Sequence, residues 1–157
     1  MPDLLTEADF LPAHPPLTCT CGRLRKLARC MTSFYEVHMR QVGLKLSQYS
    51  VLVNISRKQQ TLLQLADKLD MDRTTLTRSL KPLVEKGWVA EIAGADARQR
   101  LLVLTDAGHA FREQAQAHWR EAQLSLESTL GRNVVADLNH QLEQALSQLK
   151  PALMEDN

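Results

Sequence analysis

Arginine and threonine side chains cluster in a short segment near the middle of the chain. This segment contains Arg73, Thr74, Thr77 and Arg78, which closely follow Asp72. An arginine can donate two hydrogen bonds to the edge of a guanine, and a threonine methyl can contact the methyl group of thymine. If these side chains share one exposed face, they have the chemistry needed to read bases in a DNA groove.

Apolar spacing places this segment on a helix. Leu76, Leu80 and Leu83 recur at steps of three and four residues, which predicts one buried face and leaves the arginines and threonines outside. Asp72 has the side chain of an N-cap residue, and Gly87 suits the position just past a helix C-terminus. The sequence therefore predicts a helix between Asp72 and Gly87 with its polar N-terminal turns in solvent.

A second helix is predicted immediately before this one. Thr61 and Gln64 fit a capping box, and Leu62, Leu65 and Leu69 lie on one face of the helix that the box opens. Two helices joined by about three or four residues form a helix-turn-helix unit, whose second helix enters the DNA major groove. This order of elements favours DNA recognition over a basic face that is merely solvated.

A β-hairpin is predicted after the helix pair. Short apolar runs at 88–92 and 101–104 flank a loop that contains Arg98, Gln99 and Arg100. These side chains are long enough to reach an adjacent minor groove or its phosphates. The hairpin therefore extends the predicted DNA-binding surface beyond the helix.

The N-terminal part of the chain is expected to form an arm and two helices. Residues 1–18 hold four of the six prolines and should be extended. Apolar residues at helical spacing predict a helix from Gly22 to Gly43. An uncharged segment after Ser47 predicts a short buried helix.

The C-terminal part is expected to form two further helices. Either Thr105 or Asp106 can cap a long helix, which Gly131 and Asn133 should end, and the last helix carries leucines at coiled-coil-like spacing. A winged region cannot cover the apolar faces of both the first and the last helix, so pairing of two chains is expected to bury them. The predicted divisions are the arm 1–18, a first dimerisation helix in 19–45, the DNA-binding region 46–105 and the C-terminal dimerisation helices 106–157.

Composition confines the chain to soluble globular classes. Hydrophobic residues make up 44% and charged residues 24%, and no apolar run is long enough to span a bilayer. The first residues lack the features of a secretory signal, so a cytoplasmic location without a membrane partner is expected. The net charge is only +1, but residues 46–105 hold nine Lys and Arg against six Asp and Glu. The basic excess thus coincides with the predicted DNA-binding region.

Catalytic motifs are missing from the sequence. We find no nucleophile–base pair, no glycine-rich phosphate loop and no motif of histidines and carboxylates for a metal, so neither an enzyme nor a cofactor is expected. The alternative function is that of a helical interaction or scaffold protein that does not bind DNA. Salt-dependent binding of duplex DNA would distinguish the two.

Several segments together resemble the multiple-antibiotic-resistance regulator (MarR) family. The segments that carry the resemblance are Leu65–Leu69, Met71–Arg78, Leu83–Val89, Asp96–Arg100 and Leu104–Gly108. The resemblance implies a mainly α protein with a small β-hairpin wing, in which a winged helix-turn-helix is joined to a helical dimerisation region. It also implies a homodimer that binds a pseudo-palindromic operator in double-stranded DNA, usually as a repressor whose binding is relieved by an effector.

The resemblance also implies roles for individual residues. Arg98 would enter the minor groove, and Asp96 would brace the loop that holds it. Pro82 departs from the commonest family pattern; it removes a backbone donor, costs about 3 kcal/mol in an ordinary helix interior and should bend the helix. The expected DNA contacts are Asp72, Arg73, Thr74, Thr75, Thr77, Arg78, Lys81, Arg98, Gln99 and Arg100.

Two kinds of effector are compatible with the sequence, and the first is a small aromatic acid-like ligand. The resemblance implies a ligand site between the dimerisation helices and the winged region, where His38 or Arg40 could pair with a carboxylate. The candidate residues are Phe34, Tyr35, His38, Arg40 and Tyr49. Their helical spacing equally suits simple core packing.

The second kind of effector would act through the cysteines. Cys19 and Cys21 precede the predicted first helix near several basic residues, a setting that favours the reactive thiolate. Cys30 lies inside that helix, about half a turn out of phase with Cys21. The thiols could form a reversible disulfide or hold a thiophilic metal, although a closed zinc site would need a fourth ligand such as His14 or His38. Inert thiols are the plain alternative.

Overall fold

The structure is a computed structural model that describes residues 19–55, 59–96 and 99–155. The predicted arm at 1–18 and the wing residue Arg98 lie outside the described residues. The helices are α1 Thr20–Met39, α2 Leu46–Asn54, α3 Leu62–Leu69, α4 Arg73–Glu85, α5 Asp106–Leu130 and α6 Arg132–Glu155, and the strands are β1 Gln60–Thr61, β2 Val89–Ala93 and β3 Arg100–Leu104. None of the described helices is long and apolar enough to cross a membrane.

The first helix begins at Thr20 rather than at Gly22, because Cys19 acts as its N-cap. The Cys19 Sγ accepts a hydrogen bond from the Gly22 N–H at 3.4 Å. Cys21 therefore lies inside α1, which corrects the expectation that it precedes the helix. At the other end a short 3-10 turn, Arg40–Val42, ends at Gly43, whose φ of +65° lies in the left-handed region that glycine tolerates, as the sequence predicts.

The helix-turn-helix unit forms as predicted from its capping residues. The Thr61 hydroxyl accepts from the Gln64 N–H at 3.1 Å, and the Gln64 Oε1 accepts from the Thr61 N–H at 2.8 Å. Asp72 caps α4, and Gly87 has a φ of +70° just past its end. The apolar faces of α2, α3 and α4 meet in one core, which includes Leu52, Leu65, Leu76 and Leu83 at 0% exposure.

The wing has one more strand than the sequence predicts. Strands β2 and β3 pair antiparallel as the expected hairpin, and β1 pairs with the free edge of β3 to give the order β1-β3-β2. Strand β1 contains only Gln60 and Thr61 and is too short for an alternation of apolar and polar residues to predict it. Its pairing ties the start of α3 to the wing, because Thr61 is also the N-cap of that helix.

The wing is joined to α5 by a close backbone contact. Thr105, and not Asp106, caps α5, with its Oγ1 accepting from the Gly108 N–H at 3.0 Å. The same hydroxyl donates to the Gly87 carbonyl at 2.6 Å. Gly108 packs directly against the Trp88 carbonyl, because a Cβ built on it would lie 1.9 Å from that oxygen. Helix α5 is thereby held against the end of the helix-turn-helix unit.

The last two helices depart from prediction at one point and leave apolar side chains uncovered. As predicted, helix α5 ends before Gly131, whose φ is +90°. Asn133, which was also expected to end this helix, lies inside α6. The exposed fractions of Leu149 and Leu153 are 59% and 67%. A helix that leaves such leucines in solvent lacks a packing partner on that face.

Candidate nucleic-acid interface

The start of α4 is shaped by Asp72 and Thr75, which bind each other. The Asp72 Oδ1 accepts from the Thr75 N–H at 2.8 Å, and its Oδ2 accepts from the Thr75 hydroxyl at 2.7 Å. These two hydrogen bonds, first from the hydroxyl and then from the backbone, lower the pKa of the Asp72 carboxyl below its ordinary value. Both residues are among the predicted DNA contacts, and in this structure their polar groups fix the helix terminus.

The predicted reading face of α4 is exposed. Arg73, Thr74, Thr77, Arg78 and Lys81 all lie in solvent, while the leucines of the same helix are buried. The Thr77 hydroxyl donates to the Arg73 carbonyl at 2.7 Å, which fixes its methyl group relative to the helix. The Lys81 Nζ lies 3.8 Å from the Glu85 Oε1 and is 74% exposed, so it is free to turn toward a phosphate.

Pro82 lies within α4, which continues for three residues beyond it to Glu85. The Lys86 N–H donates to the Pro82 carbonyl at 3.1 Å and so completes the helix C-terminus. The predicted reading residues all precede Pro82, so the missing donor of the proline lies outside the turns that would face DNA.

The wing turn is built around Gln99 and Gly94. The Gly94 N–H donates to the Gln99 carbonyl and the Gln99 N–H to the Asp96 carbonyl, each at 2.8 Å. A Cβ on Gly94 would lie 2.8 Å from the Gln99 Oε1, so the Gln99 side chain packs over this glycine. Gln99 therefore supports the wing, in addition to its predicted DNA contact, and Arg100 follows it as an exposed residue.

Helix α4, the second helix of the helix-turn-helix unit, and the wing line one groove, which we call the reading groove. It has a volume of about 520 Å³ and runs between α4, the start of α3 and the sheet. Four of the predicted contacts line it, together with one acidic residue that is not among the predicted contacts. These residues are Arg73, Thr77, Gln99, Arg100 and Glu91. Alternation along β2 would place Glu91 on the same face as the buried Val89, so the sequence offers no signal for its exposure at this groove.

Of the five candidate ligand residues, only Tyr49 lines a cleft that joins the two regions of the molecule. The cleft has a volume of about 620 Å³ and lies between α1, α2 and α5. Its lining residues are Thr32, Leu46, Ser47, Tyr49, Ser50, Val53, Gln116 and Trp119. The ring of Tyr49 stacks on Trp119 with centroids 6.3 Å apart, and Trp119 was missed because its helical spacing resembles that of a core residue.

The other candidate ligand residues do not line this cleft, and Tyr35 lines a different groove, between α1, α5 and α6. Tyr35 is 6.4 Å from Trp119 between ring centroids, and its hydroxyl donates to the Gln123 Oε1. Phe34 packs between Tyr35 and His38, and Arg40 is exposed on the 3-10 turn. Burial raises the pKa of both tyrosine hydroxyls, and for Tyr49 the Arg120 charge opposes this increase. Both phenols are therefore neutral hydrogen-bonding groups at neutral pH.

The three cysteines are exposed free thiols. Cys19 and Cys21 flank the N-terminus of α1, and Cys30 lies two and a half turns further along the same helix. Within the described ranges no group of three His, Cys, Asp or Glu side chains could hold a metal ion. His14, one of the two predicted fourth ligands, lies outside the described residues.

A second groove lies between α1, α5 and α6, and we call it the terminal-helix groove. It has a volume of about 380 Å³ and a mainly apolar lining, to which Tyr35, Gln123 and Asn139 add polar groups. The apolar side chains that line it include Leu24, Leu27, Met31, Leu126, Val135, Leu138 and Leu142.

A helix-turn-helix whose second helix shares a groove with a β-hairpin defines the winged-helix class of DNA-binding proteins. Within that class the MarR family is matched over residues 42–99. The transcriptional regulator MosR of M. tuberculosis, in complex with DNA, is 33% identical, with 81% of this chain and 98% of that chain covered and a TM-score of 0.64. The chain belongs to the MarR family of DNA-binding transcriptional regulators.

Two further relatives agree with this assignment. A cysteine-to-serine variant of E. coli MarR, complexed with operator DNA, is 28% identical over 82% of this chain and 94% of that chain, with a TM-score of 0.73. The HTH-type transcriptional regulator YwoH of Bacillus subtilis is 27% identical over 128 residues, which are 81% of this chain and 88% of that protein. The mainly helical fold with a small antiparallel wing matches these regulators.

Proposed function

We propose that the protein is a homodimeric repressor that binds a pseudo-palindromic operator and releases it when an effector binds. The observation that carries this proposal is the reading groove, in which side chains of α4 and of the wing face one surface. MosR and the E. coli MarR variant were both obtained with DNA, which supports the same use of this surface here. Residues 46–105 would form the DNA-binding region.

The terminal helices support the dimer. The terminal-helix groove is apolar, and leucines at its N-terminal end, Leu24 and Leu27, are 45% and 36% exposed. The α1 segment 20–35 holds four Lys and Arg and no Asp or Glu, whereas residues 106–157 hold eight Asp and Glu against four Lys and Arg. A second copy therefore offers both the apolar surface and the opposite charge that these helices lack. Residues 19–45 and 106–157 would form the dimer interface.

Two such copies would present two α4 helices to successive major grooves, about 34–36 Å apart along the duplex. Arg73, Thr74, Thr77 and Arg78 would read base edges, while Lys81 and Arg100 would contact phosphates. By family resemblance, Arg98 would enter the minor groove. Asp72 and Thr75 would act by fixing the N-terminal turn of α4.

The effector site that the geometry supports best is the cleft at Tyr49 and Trp119. It touches α1 and α5 from the dimerisation region and α2 from the DNA-binding region, so a ligand there can alter their relation. The stacked rings would take a small aromatic ligand, and the hydroxyl and amide groups of Thr32, Ser50 and Gln116 would meet its polar substituents, an acid group included. In one conformation of the dimer the spacing of the two α4 helices would fit DNA, and in another it would not. The ligand must bind the second conformation more tightly than the first, because otherwise it does not shift the equilibrium between them.

Thiol chemistry is the second effector candidate, and one observation favours it. Cys19 and Cys21 are both exposed at the N-terminus of α1, where Cys19 already caps the helix. Oxidation of this pair to a disulfide would remove the cap and disturb the helix that the proposed dimer needs.

Binding measurements test these proposals in order. Light scattering should give a dimer, and a duplex obtained by selection from a random pool should bind with steep salt dependence. A monomer, or a protein that shifts no duplex at any salt concentration, would favour the scaffold alternative. Benzoate and benzamide probe the cleft through release of the selected duplex and quenching of Trp119 fluorescence, with Trp119→Phe as the control.

The thiol candidate needs a separate comparison. Binding of the selected duplex by reduced and peroxide-treated protein should differ, and a Cys19→Ser/Cys21→Ser variant should remove the difference. Equal binding in both redox states leaves the cleft as the effector site.

A further inference from the structure

Besides Asp72, one further acidic residue lies beside the candidate DNA contacts. Glu91 is exposed on β2 and lines the reading groove together with Arg73, Thr77 and Arg100. It contributes the only acidic side chain to this groove among the residues that the structure describes. An acid here opposes the attraction of the basic side chains for DNA, because phosphates repel a carboxylate.

The strand register places Glu91 directly beside the recognition helix. Side chains two apart on a strand share a face, so Glu91 lies on the same side of β2 as Val89, which is 2% exposed. Its partner across the hairpin is Leu102, which is 1% exposed. Glu91 also lines an adjoining groove with Thr77 and Lys81. The carboxylate therefore borders α4 where the core side of the sheet opens to solvent.

Within the described part of the chain, Glu91 makes no hydrogen bond and no ion pair. By contrast, both carboxylate oxygens of Asp72 accept hydrogen bonds from Thr75. Glu85 forms an ion pair with Lys81, whose ammonium lies 3.8 Å away. Among the described residues, the Glu91 carboxylate is thus an acceptor without a hydrogen-bond partner at the reading groove.

A carboxylate in a DNA groove discriminates between sequences in two ways. It accepts a hydrogen bond from the exocyclic amino group of cytosine, and it is repelled by phosphates and by base carbonyls that take the place of that amino group. An unpaired charge held against the wrong partner is a general route to specificity. Attraction of phosphates to the arginines and lysine of the same surface strengthens binding to any duplex, so that attraction does not supply this discrimination.

We propose that Glu91 is a specificity-determining residue, whose carboxylate accepts a hydrogen bond from a cytosine amino group in each half of the operator and penalises binding to other sequences. This inference rests on the proposed function, since it requires operator binding. It adds a negative determinant to a surface on which the other acidic predicted contact, Asp72, is hydrogen-bonded to Thr75.

Substitution of Glu91 by glutamine tests the inference, because it removes the charge and keeps the size of the side chain. Duplexes selected from a random pool by the wild-type protein are compared with scrambled duplexes of the same composition. The Glu91→Gln variant should bind the scrambled duplex more tightly, and the ratio of selected to scrambled affinity should fall about tenfold. Repeating the selection with this variant should relax the preference for cytosine at one position in each half-site.

The charge-matched control is Glu113→Gln, which removes an exposed carboxylate from α5 outside both grooves on either side of Glu91. This control should leave the affinity ratio and the selected sequence unchanged. The inference is overturned if Glu91→Gln selects the wild-type sequence with the wild-type ratio, or if Glu113→Gln tightens scrambled binding equally. A wild-type protein that selects no sequence at all would instead contradict the proposed function.

Discussion

The winged region and the terminal helices bury their apolar side chains to different extents. In the winged region Leu65, Leu76 and Leu83 are fully buried and the charged side chains lie outside. In α6 the exposed fractions of Leu149 and Leu153 exceed one half. One chain completes the core of the winged region, whereas the exposed leucines of α6 form an apolar surface that the proposed second copy would cover.

This difference divides the tasks of the molecule. The winged region at residues 46–105, which we call the reading head, packs most of its apolar side chains into the core of its own chain. In the proposed dimer, the distance between the two reading heads would depend on the terminal helices, whose apolar surface is not covered within one chain. We therefore expect control of DNA binding to act through the spacing of the heads and not through the shape of either head.

The largest expected effect comes from a charge placed in the terminal-helix groove. Leu138 lines this groove and is half-buried in one chain, so a second copy would complete its burial. Leu138→Glu should separate the dimer and lower operator affinity by on the order of a thousandfold, because each half-site then binds alone. Light scattering and fluorescence anisotropy on the selected duplex measure the two effects.

The matched control for this substitution is Leu138→Met, which keeps the apolar volume and should preserve the dimer. Circular dichroism must show that the Leu138→Glu chain remains helical. A folded Leu138→Glu protein that is still dimeric would place the interface elsewhere.

The next effect tests the contact that holds the reading head against α5. A Cβ at Gly108 would lie 1.9 Å from the Trp88 carbonyl, so Gly108→Ala must displace backbone. We expect a loss of about 3 kcal/mol in the free energy of unfolding, measured by urea denaturation. Gly22→Ala is the control, since its added Cβ would lie 3.7 Å from the Cys19 Sγ in ordinary contact. Equal stability of the two variants would show that the Gly108 contact can relax.

The third effect concerns base recognition by α4 in the winged region. Arg78→Ala removes an exposed arginine from α4 without touching the core. It should cost about 1–3 kcal/mol on the selected duplex and relax the preference at one base pair. Equal loss on selected and scrambled duplexes, measured by anisotropy at one salt concentration, would make Arg78 a phosphate contact instead.

Local signals predict the reading head well, because its elements are specified by nearby residues. The capping box at Thr61, the N-cap at Asp72 and the left-handed glycine at Gly87 each act within one helical turn. Strand β1 escaped prediction because its two residues gain strand geometry only by pairing with a distant strand. The Cys19 cap escaped it because a thiol is not among the preferred capping side chains.

Long-range contacts explain why the candidate sites were predicted less completely than the fold. The types and spacing of the α4 side chains predict their chemistry. The position of Glu91 beside them depends instead on how the hairpin packs against the helix. The cleft likewise brings Tyr49 to Trp119 across 70 residues of sequence. Periodicity assigns Trp119 to a helix face and cannot show which cavity that face meets.

The smallest expected effect lies at the N-terminus of α4 and depends on pH. Because hydrogen bonds from Thr75 lower the pKa of Asp72 in the folded protein, the folded state binds this proton less readily than the unfolded chain does. The stabilisation is therefore present above the unfolded pKa and is lost as the pH falls through the folded pKa. Asp72→Asn keeps a capping side chain but removes this titration, so its unfolding free energy should change less than that of the wild type between neutral and acidic pH. Parallel urea denaturation curves at several pH values measure the difference, and identical pH dependence of the two proteins would show that the Asp72 charge adds nothing to its cap.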